Sequence, residues 1–254
     1  MALLLLLVML TVCAALPRDM SGKMFTFPQE SKTAYVRLTT SRQSLRAVTV
    51  CLRTFTDLNR NHASFSLATP GVFNDFLIFR YAASNAFSMN VRDKAVRFRD
   101  LDYKPNTWHS LCSTWDSVSG VLQVWLDGKP SSRKYISSGS NITGPMIIVL
   151  GQDQDRHGGG FVTKQSFVGM MSDVHMWDYT LSPCQIQRYT NRVSFPSGNV
   201  LNWKAFSFRT FGRQAHSPQA LTSPHLTLEL PHTLDLGPNP PHPHPIPSPS
   251  PLLK

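Results

Sequence analysis

The stretch CSTWDSVSGVLQVWLDGKP, Cys112 to Pro130, carries the pattern from which the fold class follows. Within it, Leu122, Val124 and Leu126 occupy every second position. Two residues is the side-chain period of a β-strand, so this alternation predicts a strand with one face turned to a core.

Short strand-like runs of the same kind extend outward from this stretch, from Lys23 to about Arg213. Clusters of Gly, Pro, Asn and Asp separate them every ~8 to 15 residues, which is typical of an all-β antiparallel sandwich. Only the segment 182–192 indicates a helix, with Ser182 as its N-cap and Pro183 in its first position. We therefore expect two packed sheets and one short helix.

The two ends of the chain differ in character from this body. Residues 1–15 combine an apolar run with small residues at Cys13, Ala14 and Ala15, which predicts a secretory signal peptide cut near Ala15. That run is too short to span a bilayer, and no later segment is apolar enough to do so. We therefore expect a secreted, extracellular protein without a membrane span.

Beyond Arg213 the composition changes to a Pro/His-rich tail, residues 214–254, which holds 11 of the 19 prolines. Because proline cannot donate a backbone hydrogen bond, we expect this tail to be extended or disordered and to replace a closing strand poorly. The run LTLEL, 226–230, has period two and is the one piece of the tail suited to covering a sheet edge. His242 and His244 would bind a metal only weakly there.

Three cysteines remain after removal of the signal peptide, which allows at most one intramolecular bridge. Cys51 and Cys112 both lie in strand-like sequence, which favours them as the pair and leaves Cys184 free. Asn141 begins an Asn-Ile-Thr sequon in a Gly/Ser-rich loop, so we expect N-glycosylation there.

The chain is basic, with a formal net charge of +10. Residues 1–213 carry +11, because only Glu229, Asp235 and Lys254 are charged beyond them. A basic body attracts anionic surfaces or polymers. The sequence nevertheless contains no dense Lys/Arg run and no nucleic-acid motif, so we expect no dedicated nucleic-acid binding.

An acidic pair follows the predicted strand 147–150, in VLGQDQDRHGGGFVTKQ, Val149 to Gln165. If strand geometry persists past Gly151, Asp153 and Asp155 lie on one side. Two carboxylates at such a short distance repel each other unless a cation, a substrate or a shared proton lies between them. The alternative is a solvated acidic loop without a partner.

Several of these motifs together resemble the short pentraxin family. The resemblance runs from about Asp19 to about Gly212 and rests on the stretches FTFPQES, CSTWDSVSGVLQVWLDGKP, IIVLGQDQD, GGGF, QSFVGMMSDVHMWDYTLSP and GNVLNW. It implies a lectin-like jelly roll of two sheets for residues 16–213, a planar ring of five subunits and a Cys51–Cys112 bridge. The family signature around the second cysteine is met except that His109 lies one residue early.

The resemblance also implies a calcium site made from two loops. Asp153 and Asp155 would supply carboxylates, and Gln154 its backbone carbonyl. Gln165 would reach a second ion, and Asn74 would contribute from the other loop. Hard oxygen ligands of this kind suit Ca²⁺.

The chain departs from the family pattern at this site. Phe73 stands where the family has an aspartate, and we expect the neighbouring Asp75 to substitute for it. Val162 stands where the family has a carboxylate for the second ion, and Asp153 is one methylene shorter than the family's glutamate. The first calcium site is therefore expected to be better preserved than the second.

Leu77 and Phe79 match the apolar side of the ligand pocket in the phosphocholine-binding members of the family. The alternative is that both are ordinary strand residues facing the core. The family's choline-facing acid has no secure counterpart in this chain, so phosphocholine specificity does not carry over.

The resemblance implies a calcium-dependent pattern-recognition protein of innate immunity, of the acute-phase type. It would bind phosphocholine-like, phosphoethanolamine-like or carbohydrate groups on microbes or damaged cells, with complement or immune receptors as further partners. One alternative is a pentraxin scaffold with a degraded calcium site that acts only through protein contacts. An enzyme is the remote alternative, because a glycan hydrolase of this fold needs E-x-D-x-x-E, where this chain has Asp153, Asp155 and Gly158.

Overall fold

The structure is a computed structural model that describes residues 16–212 and the backbone of Ala215–Pro218. The predicted signal peptide, the run 226–230, His242 and His244 lie outside the described residues. Among the helices of the described part, none is long and apolar enough to cross a membrane.

The described part of the chain consists mainly of strands. In chain order they are β1 (Lys23–Phe27), β2 (Tyr35–Leu38), β3 (Ser44–Leu45), β4 (Ala47–Phe55), β5 (His62–Thr69), β6 (Val72–Tyr81), β7 (Ala86–Val91), β8 (Lys94–Phe98), β9 (His109–Asp116), β10 (Val121–Leu126), β11 (Lys129–Pro130), β12 (Lys134–Tyr135), β13 (Ile142–Thr143), β14 (Ile147–Leu150), β15 (Gly169–Trp177), β16 (Phe208–Phe211) and β17 (Ala215–Pro218). The helix α1 (Pro183–Thr190) and the 3₁₀ turns Thr163–Gln165 and Trp203–Ala205 complete the secondary structure.

The strands form two large antiparallel sheets, as the sequence predicts. The first has the order β11-β10-β9-β4-β15-β1-β17, with β12 also paired to β10. The second has the order β16-β2-β14-β5-β6-β7-β8. Their facing apolar side chains form one large core, in which Phe25, Phe65, Phe76 and Trp115 are fully buried. The expected all-β fold of two packed sheets with one helix is confirmed.

The disulfide lies within the first sheet, where Cys51 of β4 stands opposite Cys112 of β9. The two residues are bonded, with their Cα atoms 4.1 Å apart. Cys184, near the start of α1, is free and exposed. The predicted pairing is confirmed, because antiparallel neighbours in register bring these two side chains together.

The helix begins where the sequence predicts. The Ser182 hydroxyl accepts a hydrogen bond from the Gln185 N–H, and the Gln185 side chain accepts one from the Ser182 N–H. This reciprocal capping fixes the first turn. Ile186 and Tyr189 are buried on the inward face of the helix, against a second apolar cluster that contains Trp177.

Beyond the predicted boundary at residue 213, strand β17 pairs with β1. The register joins Thr26 to Ala215 and Lys23 to Pro218. The proline is tolerated because β17 is an edge strand and Pro218 is its last residue, so no inner ladder loses a donor. The folded body therefore extends at least to Pro218.

Candidate functional site

The acidic pair lies in a loop, residues 151–167, that leaves β14 and returns to its own starting point. Gly151 opens the loop with φ 86°, and a Cβ there would lie 2.6 Å from the Phe27 ring. Only glycine fits this turn. The Phe167 N–H then donates to the Gly151 carbonyl oxygen at 2.9 Å, which closes the loop.

Two buried glutamines fasten the loop to the second sheet. The Gln152 amide donates to the Ala34 carbonyl oxygen at 2.9 Å. The Gln154 amide donates to the carbonyl oxygens of Ser66 and Ile147, both at 3.0 Å. Gln154 thus ties the loop to β5 and β14. Its side chain is used for structure, which leaves its backbone carbonyl as the group available to a ligand.

Asp153 lies between these two anchors and is only 7% exposed, whereas Asp155 is exposed. Burial, followed by repulsion from the Asp155 carboxylate, raises the pKa of Asp153 to about 6. Because β14 ends at Leu150, the loop and not a continuing strand brings the two carboxylates together. Strand geometry therefore does not set their positions, and Asp155 lies near enough for its charge to raise the pKa of Asp153.

Three of the predicted ligand residues present buried oxygens with no hydrogen-bond partner in the described part of the chain. They are Asn74 Oδ1, Asp153 Oδ1 and Gln165 Oε1. The Asn74 backbone is held by Asp93, whose carboxylate accepts from the Asn74 N–H at 2.9 Å. Buried acceptors without donors are costly, so these oxygens call for a cation or ordered water.

Asp75 is placed differently from the other predicted ligands. Its carboxylate is fully buried and accepts hydrogen bonds from the Arg92 guanidinium at 3.0 and 3.1 Å. The Thr69 hydroxyl also donates to it. Burial raises the pKa of Asp75, while these donors act in the opposite direction. Asp75 is therefore already paired, unlike the three oxygens above.

Two of the three departures from the ligand pattern are exposed apolar side chains. Phe73 is 37% exposed and Val162 is 42% exposed. Neither can coordinate a metal, and both lie in the two segments that supply the predicted ligands. Oxygen donors at this site are consequently fewer than in the family pattern.

Leu77 and Phe79 lie outside the main core, which contains their neighbours Phe76 and Ile78 on the opposite face of β6. Both are buried in a small separate cluster with Ala63 and Tyr81. Leu77 pairs in register with Ser66, the residue that binds the Gln154 amide. Paired residues share a face of the sheet, so Leu77 lies on the same face as the acidic loop.

The donor set fits calcium better than a transition metal. Within the described residues there is no group of three or more His, Cys, Asp or Glu side chains that could hold a metal. The unpartnered atoms are a mixture of carboxylate and amide oxygens, which is the chemistry that Ca²⁺ takes and Zn²⁺ does not favour.

Sequence reasoning missed two residues near this site. Gln152 Oε1 is a further buried oxygen without a partner, and its place directly before Asp153 was the available signal. Arg92 was not predicted as the partner of Asp75, because it lies in the turn after β7, 17 residues away, and the pairing leaves no trace in local sequence.

The predicted glycosylation residue lies on the surface, directly before β13. Asn141 is exposed, and its Oδ1 accepts a hydrogen bond from the Ser117 hydroxyl at 2.9 Å. That bond leaves the side-chain nitrogen available. The position is therefore accessible to modification.

Comparison with known proteins gives a consistent picture. The model of the Pentaxin family matches residues 23–218. C-reactive protein of Rattus norvegicus is 42% identical over 203 residues, covering 79% of this chain and 86% of the rat protein. Serum amyloid P-component of Sus scrofa is 35% identical over 220 residues, covering 84% of this chain and 97% of the pig protein.

A solved structure has the same fold. The native heptameric SAP-like pentraxin from Limulus polyphemus superposes with a TM-score of 0.74 at 25% sequence identity. The superposition covers 81% of this chain and 99% of the Limulus chain. The match to residues 23–218 also ends at the last residue of β17.

Proposed function

The chain belongs to the pentraxin family, and on that premise we propose that it is a secreted, calcium-dependent recognition protein of innate immunity. Its ligands would be phosphorylated or carbohydrate groups on microbes or damaged cells. It would act by binding and not by catalysis.

The observation that carries this proposal is the set of unpartnered buried oxygens on Asn74, Asp153 and Gln165. They belong to residues that a calcium ion of this family would contact, and they have no other use in the described structure. Leaving them without a donor would be destabilising unless a cation or water satisfies them.

We assign the calcium ligands residue by residue. Asp153 and Asp155 supply charge, Gln154 supplies its backbone carbonyl, and Asn74 and Gln165 supply amide oxygens. A bound ion offsets the repulsion between the two aspartates and offers open coordination positions to anionic or hydroxyl groups of a ligand.

Asp75 enters the proposal as a supporting residue and not as a ligand. Its carboxylate is held by Arg92 and Thr69, which fixes the start of β6 beside Asn74. The apolar cluster around Leu77 and Phe79 lies on the face of the sheet that carries the acidic loop, so it is suited to the apolar part of a ligand.

Assembly would turn weak single-site binding into avidity. We propose a closed ring of five subunits, in which several calcium sites on one face engage a surface with repeated ligand groups. The heptamer named for the Limulus relative is the alternative ring size. Complement or immune receptors would then be the partners of the assembled ring.

The test is retention on phosphocholine and phosphoethanolamine resins with millimolar calcium or with EDTA. We expect retention on at least one resin, with loss in EDTA and in Asp155→Asn. A matched control is Asp57→Asn, which removes one exposed carboxylate outside the site. Retention that is equal with calcium and with EDTA would contradict the proposal.

A scaffold that has lost its calcium site is the second candidate. It is favoured by the exposed apolar side chains of Phe73 and Val162, which occupy two ligand positions of the family pattern. Under this reading the protein acts only through protein contacts. Calcium would then change neither the melting temperature nor retention on either resin.

A further inference from the structure

A basic cleft lies where the edges of the two sheets approach each other. It has a volume of about 520 Å³ and opens between the end of β8 and the segment 130–134 of the first sheet. Its basic lining residues are Arg97, Arg99 and Lys134, and Asp100 is the acid among the lining residues. We call it the edge cleft. In the second sheet three strands separate β8 from β14, which precedes the acidic loop.

Two of the cations in the edge cleft are held in fixed positions. The Lys134 ammonium donates to the Arg97 carbonyl oxygen at 2.6 Å and lies 5.1 Å from the centre of the Phe98 ring. The Arg97 guanidinium lies 4.3 Å from the centre of the Tyr81 ring. These contacts orient the two charges before any ligand arrives, which reduces the entropy cost of binding.

The charges of the edge cleft are not neutralised within the protein. Across residues 16–212, no ion pair involves Arg97, Arg99 or Lys134. Arg97 lies in β8 and Arg99 directly follows the strand, and both are exposed and line the cleft. The cleft therefore presents three cations to a linear anion. These three residues account for part of the +10 net charge of the chain.

We propose that the edge cleft binds a sulfated polysaccharide, independently of calcium. Sulfate groups spaced along a sugar chain match fixed cations, and the volume of the cleft admits a sugar unit between them. The aromatic rings nearby, Phe98 and Tyr81, are already covered by Lys134 and Arg97. Phe98 is also buried, and Phe79 packs against the Tyr81 ring, so neither ring is placed to stack with nucleic-acid bases.

The experiment measures binding of the full chain to a sulfated heparin octasaccharide in EDTA, over a series of salt concentrations. The variant is Arg97→Gln/Arg99→Gln, and the control is Arg37→Gln/Arg46→Gln, which removes the same charge from exposed arginines outside the cleft. We expect at least tenfold weaker binding for the cleft variant. We also expect the slope of log affinity against log salt to fall by about two, since two cation–anion contacts are lost.

The controls separate this proposal from the calcium site and from folding. Melting curves establish that both double variants are folded, and Lys134→Gln provides a second test that changes one cation only. Equal binding by the cleft variant and the control variant would overturn the proposal. So would binding lost in EDTA, or equal binding of single-stranded DNA with the same number of charges. Calcium-dependent resin retention is read separately, so either proposal can fail alone.

Discussion

Replacing Asp155 with asparagine should separate the effect of its charge on Asp153 from its contribution to calcium binding. The substitution keeps the shape of the side chain but removes the negative charge that raises the pKa of Asp153. Without calcium the variant should therefore be slightly more stable than the parent protein at pH 7.5. Calcium should add no stability to the variant, because the proposed site has lost one of its carboxylate ligands.

The magnitude follows from the pKa of Asp153, which rises from 3.8 to about 6. At 1.36 kcal/mol per pH unit, ionising this group in the folded protein costs about 3 kcal/mol. The raised pKa means that the cost is absent at low pH and is imposed as the pH rises through about 6. Burial is the larger cause of the raised pKa. Removing the Asp155 charge should therefore recover less than half of this ionisation cost, roughly 1 kcal/mol of stability or 2–4 °C in melting temperature.

Calcium should stabilise the parent protein by more than the roughly 1 kcal/mol expected from removing the Asp155 charge. At a concentration 100 times its dissociation constant, a ligand adds about 2.7 kcal/mol, which corresponds to roughly 5–11 °C for a domain of this size. The shift should shrink at pH 5, where Asp153 is largely protonated and must lose its proton to bind the ion.

Differential scanning calorimetry with EDTA or millimolar calcium, at pH 7.5 and pH 5, measures both effects. Asp57→Asn is the matched control and should behave like the parent protein. An unchanged parent melting curve with calcium would refute the assigned site. A full calcium shift in Asp155→Asn would refute the role of its carboxylate.

Three further predictions concern stability and covalent state. Arg92→Gln should destabilise the protein by about 3 kcal/mol or more in urea titrations, because it leaves the Asp75 carboxylate buried without its cation. Cys184 should react with iodoacetamide in the native protein, while non-reduced peptide mapping finds Cys51 and Cys112 linked; a linkage through Cys184 would contradict this. Limited proteolysis followed by mass spectrometry should cut within 219–254 and spare the body, and a tail as resistant as the body would show that it docks.

Much of the fold could be read from sequence because its signals are local. The alternation of Leu122, Val124 and Leu126 reports one buried face, and all three are buried in the main core. The capping pattern at Ser182 likewise needs only neighbouring residues. The acidic pair was also visible, since two carboxylates stand one residue apart directly after a predicted strand.

The contacts that sequence reasoning missed join distant parts of the chain. Asp75 was expected among the ligands, but Arg92 in the turn after β7 neutralises it. Strand β17 was not expected, because its proline is unfavourable in a strand unless the strand lies at an edge. Sheet order alone decides which strand is at the edge.

The sequence by itself determined the fold class, because strand alternation and helix capping depend on neighbouring residues. The candidate calcium ligands came from the resemblance to the pentraxin family, and the cysteine pair, 61 residues apart, from strand-like sequence around both residues. Only the tertiary structure decided which of those oxygens lack partners and which carboxylate is already paired. It also placed Arg97, Arg99 and Lys134 at one cleft, although they come from edges of different sheets. The physical reason is that hydrogen-bond satisfaction and charge neutralisation depend on neighbours in space, which packing brings together from far apart in the chain.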